Sequence, residues 1–272
     1  MARAENIRAV VQGVRYDARS SFLRGCADAP QAVRRVLGNG SANWCTESGV
    51  DLSQRNDWRD EGDVEPPDDA LAALEIIDHE TAARVGEGVA VLSIGGDHAI
   101  THPIMQAMAR VHREMTIVHF DAHPDLYDEL DGDRLSHACP FARIMEEHLA
   151  SRLIQVGVRT STPHQREQAV RFGVDTYETR SWDGMLPALS GNVYLSIDVD
   201  VLDPAFAPGV SHHEPGGLDV RQLLGALTQV AESDCTIVGA DIVEINPGRD
   251  INDMTAMVGA KLVREVLGMM LS

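Results

Sequence analysis

The chain has 272 residues, with 23 basic against 42 acidic side chains, and a net charge of −19 excludes the basic face that phosphate neutralisation requires. It contains no apolar run of roughly 18 residues, the length needed to span a bilayer, so neither nucleic acid nor a membrane is an expected partner. The four cysteines, Cys26, Cys45, Cys139 and Cys235, are scattered without a CxxC pair. That pattern indicates a reducing compartment and argues against a disulfide framework or a structural zinc site. The opening MARAENIRAVVQGV shows neither a secretory apolar run nor an Arg/Ser-rich amphipathic leader, so the expected location is the cytoplasm.

In chain order, the apolar pattern predicts a strand over 7–11 and a helix over 29–37. The polar stretch 38–67 has no clear periodicity and reads as a surface excursion within one domain. A helix follows over 68–85, where Asp68 and Asp69 after two prolines mark its start. Then come a strand over 89–94, a helix over 98–111, a strand over 116–120 and a helix over 137–150. The last elements are a strand over 153–158, a helix over 163–172, a strand over 193–197, a helix over 218–232, a strand over 236–243 and a helix over 252–270. The strands are short and rich in Val and Ile, as doubly covered parallel strands are. The rhythm predicts an α/β fold in which a mostly parallel central sheet carries helices on both faces, one domain over 1–272.

The chemistry-bearing residues follow the strands. The strand over 89–94 runs into Gly95-Gly96-Asp97-His98, and that over 116–120 into Asp121-Ala122-His123-Pro124-Asp125. The strand over 193–197 runs into Asp198-Val199-Asp200, with Asp203 beyond, and that over 236–243 into Glu244-Ile245-Asn246-Pro247. Ligand crevices of open α/β sheets lie at the carboxyl ends of the strands. On extended backbone, residues i and i+2 share a side, so Asp121, His123 and Asp125 face one point, and Asp198 with Asp200 do likewise. With His98 this makes four carboxylates and two imidazoles. Crowded acids repel unless cations hold them. An oxygen-rich set with imidazole and no thiolate suits Mn²⁺-like ions, and six ligands are too many for one ion with an open position. A two-metal site follows, in which ions about 3.5 Å apart lower the pKa of a shared water to roughly 7.

The clusters GGDH, DAHPD, SIDVDVLDPAFAPG and DIVEINP, in this order, resemble the ureohydrolase family of arginases and agmatinases. YDARSSFLRG, RLSHACPFARIMEEHLASRLIQVGVR, PGVSHHEPGGL and RDINDMTAMVGAKLVRE are similar to its plant-type arginase branch. The resemblance implies a three-layer α/β/α fold and two Mn²⁺ per subunit. His98, Asp121, Asp125 and Asp198 would hold one ion and His123, Asp121, Asp198 and Asp200 the other, with Asp121 and Asp198 bridging. Glu244 would grip the substrate guanidinium, a pairing that the bidentate fit of a planar guanidinium to a carboxylate also favours. His137 falls on the proton-shuttling position, and an imidazole suits that task near neutral pH. Tyr127, in the acidic loop through Arg134, and His212 are candidate contacts to the substrate tail. His213 stands where the plant-type pattern has an apolar residue. Homotrimers or homohexamers are the implied assemblies.

The expected activity is urea-releasing hydrolysis of a small cationic guanidino compound, first L-arginine, then agmatine, with other guanidino or formimino tails further off. A single-zinc deacetylase on a similar fold and a non-catalytic regulator are the competing classes. The six-ligand set speaks against the first, and its completeness against the second. Among the plainer roles, Asp97 is expected to cap a helix and Gly95 with Gly96 to permit a tight turn. Asp203 is open to supporting a ligand or capping the turn before Pro204. His137 as a helix-start residue, Glu244 as a buried ion-pair partner, and the 127–134 loop as solvated charge are the alternatives to their functional roles.

Overall fold

Eight strands form one sheet: β1 (Ala9–Val14), β2 (Trp58–Val64), β3 (Ala90–Ile94), β4 (Thr116–Phe120), β5 (Arg152–Val158), β6 (Asp175–Glu178), β7 (Ser190–Asp198) and β8 (Asp234–Val243). In this computed structural model, which describes residues 7–272, their order is β2-β1-β3-β8-β7-β4-β5-β6, and every pairing is parallel. Residues 1–6, which carry part of the expectation about targeting, lie outside the described residues. Among the described residues, no helix is long and apolar enough to cross a membrane.

Helices cover both faces, as the βα rhythm predicts. On one side α1 (Ala29–Gly38), α6 (Val220–Ala231) and α7 (Met254–Met270) bury Val33, Leu223, Leu227, Leu262 and Val266 against the sheet. On the other side α2 (Ala70–Gly86), α3 (Thr101–Ala109), α4 (Pro140–Glu146) and α5 (Pro163–Phe172) contribute Ile77, Ile104, Met105, Phe141 and Phe172. Several helix starts are set by side chains. Asp69 accepts from the Ala72 amide at 3.0 Å, and Thr162 with Gln165 and Asp219 with Gln222 each close a reciprocal capping pair.

Two strands were not expected, β2 inside the aperiodic 38–67 stretch and β6. Both are sheet edges. An edge strand needs no second apolar face and is protected by charge, so WRDEGDV and DTYE carry no Val/Ile signature. The helix expected over 137–150 is shorter than its pattern: α4 begins at Pro140, and His137 lies in the loop before it, not at a helix start. Proline is favoured in the first turn because it has no amide hydrogen to leave unpaired.

The strand register positions the chemistry. Ile94 of β3 pairs with Ile242 of β8, Ile242 with Ile197 of β7, and Ile197 with Phe120 of β4. One level row of apolar residues thus crosses four central strands, and the next residues along each are Gly95, Val243, Asp198 and Asp121. Gly95 and Gly96 serve close approach; neither has a positive φ. A Cβ on Gly96 would lie 1.6 Å from the Tyr16 carbonyl oxygen, a backbone atom that itself accepts from the Asp97 amide at 2.9 Å. The Gly96 carbonyl accepts from the Glu244 amide at 3.0 Å, so displacement would carry to the site. Gly96→Ala is expected to cost about 3 kcal/mol of stability, the upper range for forced overpacking. Urea unfolding of the two proteins checks this.

Candidate metal centre and substrate cavity

The ends of β3, β8, β7 and β4 bring His98, Glu244, Asp198, Asp200, Asp121, His123 and Asp125 to one place. His98 Nδ1 lies 3.2 Å from Asp121, 3.0 Å from Asp125 and 3.4 Å from Asp198. His123 Nδ1 lies 3.0 Å from Asp200 and 3.3 Å from Asp121. Asp121 therefore faces both imidazoles. The convergence is not achieved by plain extended alternation. Asp125 reaches it through a left-handed backbone (φ 49°), and Asp200 through a single 3₁₀ turn, Val199–Val201, in which the Asp198 carboxylate accepts the Asp200 amide at 2.8 Å.

One atom tests whether this set fits a cation. His98 Nδ1 is fully buried and makes no aligned hydrogen bond, although three carboxylates surround it. Its other nitrogen explains why. Buried Asp241 accepts three hydroxyls, from Thr101 at 2.9 Å, Tyr194 at 2.7 Å and Ser196 at 2.7 Å. Ser196 has spent its only proton there, so it accepts from His98 Nε2–H at 3.0 Å. The imidazole then presents its Nδ1 lone pair to the acids, an arrangement that a metal ion satisfies. A second support orders Asp121. The Gln155 amide donates to His119 Nδ1 at 3.1 Å and to the Pro124 carbonyl, and His119 Nε2–H donates to Asp121 at 2.8 Å.

Proton affinities show the strain of gathering these groups. Burial raises Asp198 well above the usual carboxylate range, with Asp200 and Asp121 adding repulsion. Burial likewise pushes Asp200 up to about 6 against the pull of His123. Burial would lower His98, yet Asp121, Asp125 and Asp198 override it and raise it well above its ordinary value. The acids demand a positive charge at that point, and a divalent cation meets the demand as well as a proton does.

Beside this cluster, Glu244 is 3% exposed and adopts φ 65°. Its Oε1 accepts from the His98 amide at 3.0 Å and from His137 Nδ1 at 2.8 Å, and its Oε2 from the Cys26 thiol at 3.3 Å. Burial opposes the ionised form, but His137 prevails and lowers Glu244 to about 2. Burial would likewise lower His137, and Glu244 instead raises it to about 9. Ser21 Oγ holds His137 Nε2 at 2.9 Å and lies 3.4 Å from His212 Nε2. A cavity of about 260 Å³ opens over these groups, lined also by Tyr127, Leu130, Thr160, Thr162, Gln165, His212 and Glu214.

Other expected residues sort by this geometry. Asp97 caps the turn into α3, accepting the Ala99 amide at 3.1 Å. Asp203 is a loop clamp whose carboxylate accepts the Ala205 amide at 3.0 Å and the Gly216 amide at 2.7 Å. Of the histidine pair, His212 faces the cavity, while exposed His213 donates to the Pro208 carbonyl at 2.7 Å. In the 127–134 loop, Tyr127 and Leu130 line the cavity, but Arg134 pairs with Asp128 and Glu146 outside it. His119, Ser196, Asp241, Gln155, Ser21, Cys26 and Glu214 were missed. Only His119 carried a signal, since it extends the i, i+2 series of Asp121, His123 and Asp125 by one step.

A model of the arginase family matches residues 7–268. The chain belongs to the arginase family. It is 44% identical to "Arginase 1, mitochondrial" of Arabidopsis thaliana over 93% of this chain and 78% of that protein. It is 32% identical to the agmatinase of Bacillus anthracis over 97% of this chain and 92% of that one. The solved arginase from Medicago truncatula superposes with a TM-score of 0.88 at 38% identity, covering 98% of this chain and 89% of that one. The three-layer fold with its parallel sheet is thus the arginase-like fold. Arginase-family enzymes are metal-dependent ureohydrolases acting on guanidino C–N bonds, and this chain has His/Asp groups able to hold metal. The expected cytoplasmic location is overturned, because the A. thaliana relative is named mitochondrial. The expectation rested on the composition of the opening residues, of which 1–6 lie outside the described residues, and scattered cysteines do not distinguish one reducing compartment from another.

Two outcomes are expected. Asp241→Asn releases Ser196 and frees the His98 proton to change nitrogen, so affinity for a divalent cation at this candidate site should fall tenfold to hundredfold, the usual range for a residue supporting a metal-binding side chain. Equilibrium dialysis with metal analysis measures this. Because Asp198 and Asp200 are raised, protons compete with the cation as pH falls through about 6. Metal content after dialysis should therefore hold at pH 8 and fall steeply below pH 6.

Proposed function

We propose that this protein is a single-domain, manganese-dependent hydrolase that converts L-arginine to ornithine and urea, with agmatine, giving putrescine and urea, as the alternative substrate. The observation that carries the reading is the 44% identity to a plant arginase over nearly the whole chain, joined to a buried carboxylate beside a two-centre ligand cluster. His98, Asp121, Asp125 and Asp198 would hold one ion and His123, Asp121, Asp198 and Asp200 the other. Bound there, two Mn²⁺ supply a hydroxide nucleophile near neutral pH. The sharing of Asp121 between two imidazole centres supports a pair of ions over the single zinc of a deacetylase. The completeness of the set argues against a non-catalytic regulator. A homotrimer or homohexamer is carried forward from the family resemblance alone, and analytical ultracentrifugation tests it.

The protein's own residues divide the remaining work. Glu244, held below the usual carboxylate range by His137, offers a planar acceptor to the guanidinium, holding its carbon over the nucleophile. The backbone amide of His98 and the Cys26 thiol keep that carboxylate in place. Cleavage leaves an amine that needs a proton. His137, in contact with Glu244 and raised above its ordinary value by that charge, stands where it can deliver one. Tyr127 and His212, both in the cavity wall, contact the part of the substrate beyond the guanidinium.

Two variants test the assignment. Asp121→Ala should lose both ions and urea release together, because one carboxylate serves both; two tightly held ions and a near-normal rate would refute it. Glu244→Gln should keep both ions while losing guanidino affinity and at least about a hundredfold in turnover, as expected when a charged partner of the reacting group is removed. Metal analysis with a urea assay on arginine and agmatine separates these outcomes.

A further inference from the structure

Glu214 is an unspent charge in a molecule that pairs nearly all others around this site. It lines the cavity, is partly exposed, and its carboxylate has no hydrogen-bond or ion-pair partner among the described residues. Its backbone, by contrast, is held firmly. Arg159 donates to the Glu214 carbonyl from Nε at 2.8 Å and Nη2 at 2.5 Å. The same guanidinium donates to the carbonyls of Asp200 at 2.6 Å, Val201 at 3.1 Å and Leu202 at 3.3 Å. One side chain thus ties the Glu214 loop to the segment that carries Asp200. Beyond Pro215, the Asp203 carboxylate takes the Gly216 and Gly217 amides at 2.7 and 3.3 Å. Gly217 packs so closely that a Cβ there would lie 2.5 Å from the Asp203 amide nitrogen. A loop braced on both sides thus carries one unpaired carboxylate at the cavity wall.

The charge balance of the lining says what it receives. No lysine or arginine lines the cavity. Of its five acids, Asp125, Asp198 and Asp200 belong to the metal cluster and buried Glu244 to the guanidinium. Glu214 remains, the one acid of the five that is partly exposed and committed to neither task. The polar wall groups outside the metal cluster and the Glu244–His137 pair are Ser21, Tyr127, Thr160, Thr162, Gln165 and His212; burial lowers His212, so none of them offers a carboxylate a fixed countercharge. We propose that Glu214 is the specificity-determining residue that receives a cationic substrate tail, so that the site selects guanidino compounds bearing a second, ammonium group. This rests on the reading of the site as a guanidino hydrolase and narrows it. Arginine and agmatine both qualify, whereas 4-guanidinobutyrate, which ends in a carboxylate alone, does not.

The test is Glu214→Gln in the manganese-loaded full chain, assayed for urea with arginine, agmatine and 4-guanidinobutyrate, with guanidinium ion as a head-only competitive inhibitor. KM for arginine and agmatine should rise tenfold to hundredfold, the range for losing a charged hydrogen-bond partner, with kcat little changed. The Ki of guanidinium and the two bound ions should be unchanged, and kcat/KM for 4-guanidinobutyrate should hold or improve. Glu214→Asp should recover part of the lost affinity. An unchanged KM for both diamino substrates overturns the inference, as does a guanidinium Ki that rises in step with KM, which would make Glu214 a structural loop residue. A wild-type preference for 4-guanidinobutyrate also overturns it. Failure of the wild type to release urea from any guanidino compound sinks the parent reading instead.

Discussion

Buried acids that cannot all be ionised together are the constraint on which this molecule depends. Asp121, Asp125 and Asp198 stand within 3.4 Å of one buried imidazole nitrogen, and Asp121 and Asp200 within 3.3 Å of another. Desolvation and mutual repulsion both work against them. A folded chain tolerates such a cluster only where positive charge is supplied, and the surrounding polar groups are arranged to leave that place to a cation. Asp241 and Ser196 keep the proton of His98 on the far nitrogen, and Gln155 and His119 give Asp121 a donor from behind. Neither relay neutralises the acids; both aim ligand lone pairs at the same points.

Holding such a cluster also requires backbone that would not choose this shape unaided. Asp125 and Glu244 both sit at positive φ, a region that costs a non-glycine residue about 1–3 kcal/mol unless neighbours over-determine it. The neighbours here are close. Gly96 lets the turn after β3 close on the Tyr16 backbone just past β1, Gly95 leaves room for the Ile100 and Val243 side chains, and the level row Ile94–Ile242–Ile197–Phe120 gives four strands a common end. Arg159 and Asp203 then bind the following loops to one another. The rigid part of the fold is concentrated under the part that performs chemistry.

The six central strands and the seven helices, α4 only in its middle part, were legible because burial writes itself into composition. A strand covered on both faces must be apolar throughout, and a helix on a sheet must repeat its apolar side. The edge strands β2 and β6 escaped because an edge is exempt from that rule. The start of the helix in the 137–150 pattern escaped because apolar periodicity does not report where the first amide bonds begin, and Pro140 begins them. The acidic loop around Tyr127 looked uniform in sequence, yet Arg134 and Asp128 cancel one another outside the cavity while Tyr127 turns in.

Residue types and their spacing by themselves determined the fold class, the four strand-end clusters and the demand for divalent cations, since these follow from hydrophobic pattern and from counting acids. Which atoms of the cluster face one another, which partners fix their protons, and which carboxylates stay unpaired depended on contacts between segments far apart in the chain. Asp241 reaches His98 through Ser196, and Arg159 brings the Glu214 loop to Asp200. Those couplings were decided only by the tertiary structure, because a hydrogen bond is directional and its alignment is set when the strands take their order, not by the identity of the residues that make it.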